Sequence, residues 1–255
     1  MELVDTHCHL DIEVFDADRG QVLERARECG VRRLLVPAVD AKHWDGLLQL
    51  CDSDKYLYPA LGLHPVFLQA HTSGDIASLE SAVEKHRPIA VGEIGLDYFV
   101  RELDRAKQQT LFEAQLEIAR NANLPAILHV RKAHDQVLST LRRIPVRGGT
   151  VHAFNGSLQQ AQRYIDMGFK LGFGGMLTYA RSRKIRQLAA NLPIDALVLE
   201  TDAPDMTVSA HQGERNSPEY LPYCLQALAE VRDAEPDELA RQTTRNACSV
   251  FSLEM

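Results

Sequence analysis

The chain has 255 residues, of which 45% are hydrophobic and 25% are charged. This length and apolar content suffice for one large domain with a substantial core, and we assign residues 1–255 to a single domain. The formal net charge of −7 argues against a protein that coats nucleic acid by charge alone, although it does not exclude a nucleic-acid substrate.

The cysteines and the apolar segments indicate the cellular compartment. Five cysteines, an odd number without a C-x-x-C spacing, are typical of reduced thiols in a cytosolic protein. No apolar run approaches membrane-spanning length, and acidic residues begin at Glu2, so we expect no signal peptide. We therefore predict a cytoplasmic protein with no membrane contact, and the sequence indicates no obligate protein partner.

Strand and helix patterns alternate along the whole chain. A first strand begins at Leu3 and is predicted to carry His7 and His9, whose side chains would point to the same face. The later predicted strands span residues 31–39, 56–63, 88–97, 125–130, 149–154, 169–175 and 196–202. The predicted helices span residues 16–30, 43–51, 75–86, 104–121, 135–143, 157–168, 179–190, 218–229 and 236–251.

The repeated strand-then-helix unit predicts the fold class. About eight such units in a chain of this length are typical of an α/β protein with a TIM (β/α)8 barrel. A doubly wound open sheet is the alternative, but it normally has a glycine-rich phosphate loop after its first strand, and none is present here. We therefore predict the barrel, whose active sites lie at the C-terminal face of the strands.

Side chains that commonly bind metal recur at the predicted ends of separate strands. They are His7 and His9 on the first strand, Glu93 on the fourth, His129 on the fifth, His152 on the sixth and Asp202 on the eighth. Buried imidazoles and carboxylates are costly in apolar strands unless they are paired or bind metal. A single such histidine is more often a core residue that donates to a backbone carbonyl, but that explanation does not cover all six. The convergence predicts a metal site at the barrel mouth.

The number of these side chains indicates how many ions they hold. Four imidazoles and two carboxylates exceed what one zinc-type ion normally takes, so we predict two divalent ions per chain. Glu93 is the expected bridge, because it is a carboxylate on a central strand. Two ions about 3.5–4 Å apart can hold a hydroxide between them, and Asp202 suits the role of its general base. Imidazole ligands favour Zn²⁺ or Mn²⁺, while oxygen ligation at a phosphate admits Mg²⁺.

Other side chains near the predicted site are candidates for substrate contact. His64 ends the third predicted strand and could contact substrate or cap the following turn. Arg131 and Lys132 follow His129 and can reach a phosphate, although a solvated loop pair is an equal alternative. The basic run at residues 181–186 could track a nucleic-acid backbone, but such runs are usually a solvated helix face. The histidines without such a context are His43, His71, His86, His134 and His211.

Several motifs in the chain resemble those of the TatD family of metal-dependent hydrolases. They are DTHCHL at the N-terminus, GLHP at 62–65, VGEIGLDY at 91–98, LPAILHVRKA at 124–133, VHAFNGS at 151–157, LETDAP at 199–204, RNSPEYL at 215–221 and TTRNACSVF at 243–251. The match covers essentially the whole chain, and the order and spacing of its motifs agree. Ala153 and Asn155 stand where relatives often have Cys and Ser, which concerns substrate preference and not the metals.

The resemblance implies a fold, an activity and a ligand set. The fold is a TIM barrel of the amidohydrolase superfamily with a dinuclear metal centre, and the activity is deoxyribonuclease-type phosphodiester hydrolysis. The implied ligands are His7, His9, Glu93 and Asp202 at one ion, and Glu93, His129 and His152 at the other. Many amidohydrolases place a carboxylated Lys on the fourth strand, where this chain has Glu93, as its family does.

Three hypotheses about function follow. The leading one is a divalent-metal-dependent phosphodiesterase acting on DNA, in which it trims ends. The second is an enzyme of the same superfamily that cleaves an amide or an ester, including the aminoacyl ester of a tRNA. The third is a non-catalytic metal-binding partner protein. It is disfavoured because structural metal sites are closed, whereas this ligand set leaves room for water at a barrel mouth.

Overall fold

A computed structural model, which describes residues 2–254, contains one sheet of eight parallel strands in chain order. The strands are β1 (Leu3–Asp5), β2 (Val31–Pro37), β3 (Leu57–Leu61), β4 (Ala90–Asp97), β5 (Ala126–Arg131), β6 (Gly149–Val151), β7 (Phe169–Phe173) and β8 (Leu197–Leu199). Backbone hydrogen bonds join the last strand to the first: Thr6 N–H donates to Leu199 O at 3.1 Å, and Asp202 N–H donates to His7 O at 2.8 Å. The predicted TIM barrel is confirmed.

Nine α-helices in residues 2–254 follow the strands and cover the outside of the barrel. They are α1 (Arg19–Glu28), α2 (Trp44–Asp52), α3 (Asp75–His86), α4 (Arg105–Asn121), α5 (His134–Arg143), α6 (Leu158–Asp166), α7 (Arg183–Asn191), α8 (Leu221–Arg232) and α9 (Pro236–Phe251). The helices predicted at 75–86 and 236–251 are confirmed to the residue. The helix predicted from residue 179 is wrong at its start, because a 3-10 turn at Gly175–Thr178 delays α7 until after Ser182.

Several strands end earlier than the sequence predicts. His7 and His9 lie beyond β1, which ends at Asp5, so they are not neighbours on a regular strand. The strands predicted to reach residues 154 and 202 end at Val151 and Leu199. The chain leaves the extended conformation there, since the next residues include Ala153 at φ 43° and Asp202 at φ 59°.

The longest strand shows the opposite difference. Glu93 lies in the middle of β4, not at its end, because β4 continues to Asp97. The upper part of this strand keeps pairing with β5, from Ile94 opposite Leu128 to Asp97 opposite Arg131. The residues before and after Glu93 therefore both belong to the sheet, which fixes the position of its side chain more firmly than a loop would.

The apolar core divides into two groups of buried side chains. The larger group fills the space between the strands and the surrounding helices. The smaller group combines side chains from six strands, such as Val4 and Leu35, with Ala247 and Phe251 of α9. Because neighbouring residues of a strand alternate between faces, this smaller group is the barrel interior, and α9 covers its N-terminal end. The C-terminal end is left for polar side chains.

Two further observations concern the whole described chain. Among residues 2–254, no helix combines the length and apolarity needed to cross a membrane. All five cysteines are free thiols, and only Cys29 is exposed.

Candidate metal centre

The six predicted ligand residues meet at the C-terminal end of the barrel. They lie beyond β1 (His7 and His9), within β4 (Glu93), within β5 (His129), and beyond β6 and β8 (His152 and Asp202). All but His7 line a cavity of about 650 Å³ that opens from this end. Ligand atoms lie within 4.8 Å of one another, the spacing needed around an ion, in three groups: His7, Glu93 and His152; His7, His9 and Asp202; and Glu93 and His129 with His64, which is outside the predicted set. Their role as ligands stays a prediction.

Glu93 is the central side chain of this cluster, and its two oxygens face different partners. Glu93 Oε2 lies 3.1 Å from His7 Nε2 and 3.4 Å from His9 Nε2. Glu93 Oε1 lies 2.9 Å from His129 Nδ1 and 3.9 Å from His152 Nε2. One carboxylate therefore stands between two pairs of imidazoles, which is the arrangement expected of a bridging ligand.

Asp202 lies at the edge of the same cluster, at longer distances. Its Oδ1 is 3.7 Å from His7 Nε2 and 3.8 Å from His9 Nε2, and its Oδ2 is 3.8 Å from His152 Nε2. Asp5 fixes the segment that carries it, since Asp5 accepts hydrogen bonds from Thr201 N–H, Thr201 Oγ1 and His7 N–H. A buried carboxylate thus ties the His7 and Asp202 segments together.

Three of the imidazoles have a partner on the side away from the cluster, and each partner can only accept. His9 Nδ1 donates to Pro37 O at 3.0 Å, His129 Nε2 donates to Asp97 Oδ2 at 2.9 Å, and His152 Nδ1 donates to Glu200 Oε1 at 3.1 Å. Metal binding requires a neutral imidazole, which carries one proton. With that proton held by the outer partner, the nitrogen that faces the cluster has a free lone pair in each ring. The partners therefore set the tautomer that metal binding needs.

The chemistry of these atoms fits a cation. With neutral rings, three imidazole lone pairs and two carboxylates would point at one another inside a buried space, where such repulsion is costly. Without an ion, burial lowers the pKa of His9 and His152, but the neighbouring carboxylates outweigh it and raise the pKa to about 9 and about 10. His7 adds to the repulsion, because its Nε2 is only 3.2 Å from His9 Nε2 and its Nδ1 has no partner within residues 2–254. Divalent ions would relieve this repulsion, and the mixture of nitrogen and oxygen atoms suits Zn²⁺ or Mn²⁺.

The pKa shifts in the cluster follow from burial and from this crowding. Burial alone would raise the pKa of Glu93, but the imidazoles of His64 and His7 outweigh it and hold that pKa well below its usual range. Burial raises the pKa of Asp202 to about 6, although His152 and His9 oppose the shift. Glu93 is therefore ionised throughout the neutral range, as a bridging ligand must be.

Three carboxylates that the sequence analysis did not single out take part in the site. Asp97 and Glu200 hold His129 and His152, and Asp5 holds the loop segments. A signal was present, since Glu200 is two residues before Asp202, Asp5 is two before His7, and Asp97 is four after Glu93. Residues at such even spacings on a strand share a face, so the spacing could have indicated that these acids face the same side as the ligands.

The two residues predicted to contact substrate lie at the cavity. His64 is buried, with Nε2 3.3 Å from Glu93 Oε1. Arg131 is half-exposed at the mouth, where its guanidinium stacks on Phe99 at 4.2 Å and lies 3.6 Å from Asp97 Oδ2. Both residues line the cavity.

Two cations of the basic run at 181–186 donate hydrogen bonds to backbone carbonyls of neighbouring segments. Lys184 Nζ donates to Asn155 O, and Arg186 Nη1 donates to Leu177 O at 3.0 Å. Arg181 stacks on Tyr179 at 5.1 Å. Two of these cations therefore serve to hold neighbouring loops, and the run is not a free basic face.

A glycine beneath Glu200 provides a test of how the site is supported. A Cβ atom at Gly172 would lie 2.1 Å from Glu200 Oε2, so Gly172→Ala must displace the carboxylate that holds His152. We expect the affinity for Zn²⁺ to fall about 10–100-fold, the usual effect of losing such a partner. Competition with a chromophoric chelator measures it.

The control for this substitution is Gly20→Ala in α1, where an added Cβ meets nothing within 4 Å. It should leave metal affinity unchanged and raise the free energy of unfolding by less than about 1 kcal/mol, because alanine favours the helix but Gly20 lies in the first turn of α1. Equal metal affinity in the Gly172→Ala variant and the wild type would contradict the role given to Glu200.

Comparisons with known proteins agree on one family. The model of the family described as TatD related DNase matches residues 4–252. The uncharacterized metal-dependent hydrolase YjjV of Escherichia coli is 41% identical over 253 residues, covering 98% of each chain. An uncharacterized metal-dependent hydrolase of Haemophilus influenzae is 43% identical over 265 residues, covering 99% of this chain and all of that one.

Solved structures show the same similarity. The crystal structure of YjjV, a TatD homolog, superposes with a TM-score of 0.95 over 99% of this chain and 98% of that one. A TatD family hydrolase of Entamoeba histolytica is only 18% identical, yet it superposes with a TM-score of 0.87 over 100% of this chain and 99% of that one. The second match concerns the fold alone.

Proposed function

Because the chain belongs to the TatD family of metal-dependent hydrolases, we propose that it hydrolyses phosphodiester bonds of DNA and trims strand ends, with two divalent ions. The observation that carries the proposal is the position of Glu93, whose two oxygens face different imidazole pairs. We assign His7, His9, Glu93 and Asp202 to one ion and Glu93, His129 and His152 to the other. A pair of ions supplies Lewis acidity, which activates water and stabilises charge on phosphate oxygens.

The remaining chemistry belongs to the side chains of the chain itself. Asp202 faces the cavity and takes a proton from the attacking water, which it later returns to the leaving oxygen. Glu93, buried among imidazoles, is committed to ligation and is less available for proton transfer. Asp97 and Glu200 keep His129 and His152 in the tautomer that leaves their inner nitrogens free.

One feature, Arg131, favours a phosphate-bearing substrate over an amide. Arg131 places a half-exposed guanidinium at the mouth of the cavity, and stacking on Phe99 holds it there. A guanidinium binds two phosphate oxygens at once, which an amide substrate does not offer. A purely structural metal role is also disfavoured, since the cluster opens into a cavity of about 650 Å³, large enough to admit substrate.

The deciding experiment compares substrates for one metal-reconstituted preparation. Single-stranded DNA, duplex DNA, RNA, a simple phosphodiester, an amide and an aminoacyl ester are tested in parallel. We expect DNA to be cleaved with the highest kcat/KM. Cleavage of the amide or the aminoacyl ester with no cleavage of DNA would replace the proposal with the corresponding alternative.

Phosphate recognition by Arg131 has its own test. Arg131→Ala should raise KM for DNA and reduce the salt dependence of KM, because one fewer cation displaces counterions from the backbone. The control is Arg143→Ala, which removes a cation paired with Glu113 on a remote helix. Unchanged KM and salt dependence in the Arg131 variant would mean that Arg131 is only a solvated surface residue.

A further inference from the structure

A fifth imidazole, that of His64, also directs a nitrogen into the cluster. Its Nε2 lies 3.3 Å from Glu93 Oε1 and 3.1 Å from His129 Nδ1, so by distance alone it resembles another ligand. Its ring is buried, yet it borders the cavity in which substrate would lie. What the ring can do depends on which nitrogen carries the proton.

The outer nitrogen of His64 has the opposite kind of partner from those of His9, His129 and His152. His64 Nδ1 accepts a hydrogen bond from the backbone N–H of Val66 at 3.1 Å. A backbone N–H can only donate, so Nδ1 must keep its lone pair, and the proton of the neutral ring resides on Nε2. The nitrogen that faces the cluster is therefore a donor, whereas the other three rings present lone pairs.

The local sequence explains why this tautomer is fixed. His64 caps the 3-10 turn Pro65–Phe67, and Pro65 has no N–H of its own. The N–H of Val66 is the first free donor of the turn, and at this position it has no helical acceptor. In the other tautomer, His64 Nδ1–H would face the N–H of Val66, and two donors would oppose each other. The turn therefore fixes the proton of His64 on Nε2.

We propose that His64 is not a metal ligand and that its Nε2–H donates a hydrogen bond to an oxygen of the scissile phosphate. This rests on the proposed phosphodiesterase function. Charge builds on those oxygens during hydrolysis, and a buried donor at the wall of the cavity stabilises that charge more strongly than water does. The same tautomer prevents His64 from accepting a proton through Nε2, which leaves Asp202 as the base.

Two variants separate a donor from a ligand. His64→Asn keeps an oxygen that can accept from Val66 N–H but has no N–H that reaches the position of Nε2. His64→Gln extends further, so its amide N–H reaches that position. We expect the Asn variant to bind Zn²⁺ with unchanged affinity and to lose about a hundredfold in kcat, as when one preorganised donor is removed. The Gln variant should recover at least a tenth of the wild-type rate.

Metal affinity is measured by competition with a chelator, and His152→Ala serves as the comparison that should lose metal. A loss of Zn²⁺ from the His64→Asn variant comparable to that of His152→Ala would overturn the proposal. So would a His64→Asn variant that turns over at the wild-type rate.

A measurement that does not depend on activity completes the test. In ¹⁵N-histidine-labelled, Zn²⁺-loaded protein, we expect His64 to show a protonated Nε2 and an unprotonated Nδ1. A proton on Nδ1, or a metal-bound Nε2, would overturn the proposal. Absence of DNA cleavage by the wild type would instead refute the phosphodiesterase function, and the spectrum would still decide the tautomer.

Discussion

Glu93→Gln is expected to lower the bound metal from about two ions per chain to at most one and to reduce kcat/KM by at least about a thousandfold. Glutamine keeps the shape of the side chain, but one of its two polar atoms becomes an NH₂ group that cannot ligate. Each Glu93 oxygen faces its own imidazole pair, so one pair loses its shared ligand whichever way the amide is oriented. The bridging charge is also lost.

Metal content and kcat/KM are to be measured on one preparation, with thermal unfolding to establish that the variant is folded. The control is Glu80→Gln on the exposed side of α3, which removes a carboxylate far from the cluster and should change neither quantity. Two bound ions and wild-type activity in the Glu93→Gln variant would contradict the bridging role.

Asp202→Asn is expected to keep near-normal metal content and to lose about a hundredfold or more in kcat. The asparagine retains one ligating oxygen, but its neutral amide cannot accept a proton. The proposed arrangement supports this separation, because Asp202 is assigned to one ion and Glu93 to both, and Asp202 lies at the wall of the cavity. Asp202 therefore contributes less to ligation than Glu93 does.

The His7→Ala variant is the matched comparison for Asp202→Asn. It removes an imidazole that is fully buried beside Glu93, so its defect should be in metal binding, and excess metal should restore part of its activity. Near-wild-type turnover by Asp202→Asn would show that another group is the base. Loss of both ions from the same variant would show that Asp202 is chiefly a ligand.

Much of the fold could be predicted because the local patterns of strand and helix residues match the elements that the barrel requires. Buried strands such as β2 and β5 contain short apolar runs, at residues 34–36 and 126–128, and each strand is followed by a helix of ordinary length. The strand ends were less predictable. Residues 6–9 continue the sequence pattern of β1, but hydrogen bonds to the segment after β8 replace a regular ladder there. Such pairing depends on residues almost two hundred positions away.

In the candidate site too, some features could be predicted from the sequence and others could not. Residue type and position along the chain were enough to predict that His7, Glu93 and His152 lie close together, because the C-terminal ends of parallel strands meet at one face of the barrel. The tautomers of His9, His129 and His152 could not be predicted, since they depend on tertiary partners. The outer nitrogen of His9 meets the carbonyl of Pro37, 28 positions away, whereas that of His64 meets the N–H of Val66 in its own turn, so only the tautomer of His64 follows from the local sequence.

The most direct test of a two-ion centre bridged by Glu93 is the anomalous diffraction of crystals grown with Zn²⁺ or Mn²⁺, collected at the metal edge. We predict two anomalous peaks per chain, about 3.5–4 Å apart, one on each side of the Glu93 carboxylate. His7 and His9 should border one peak, and His129 and His152 the other. A single peak, or peaks that do not flank Glu93, would contradict the bridged centre.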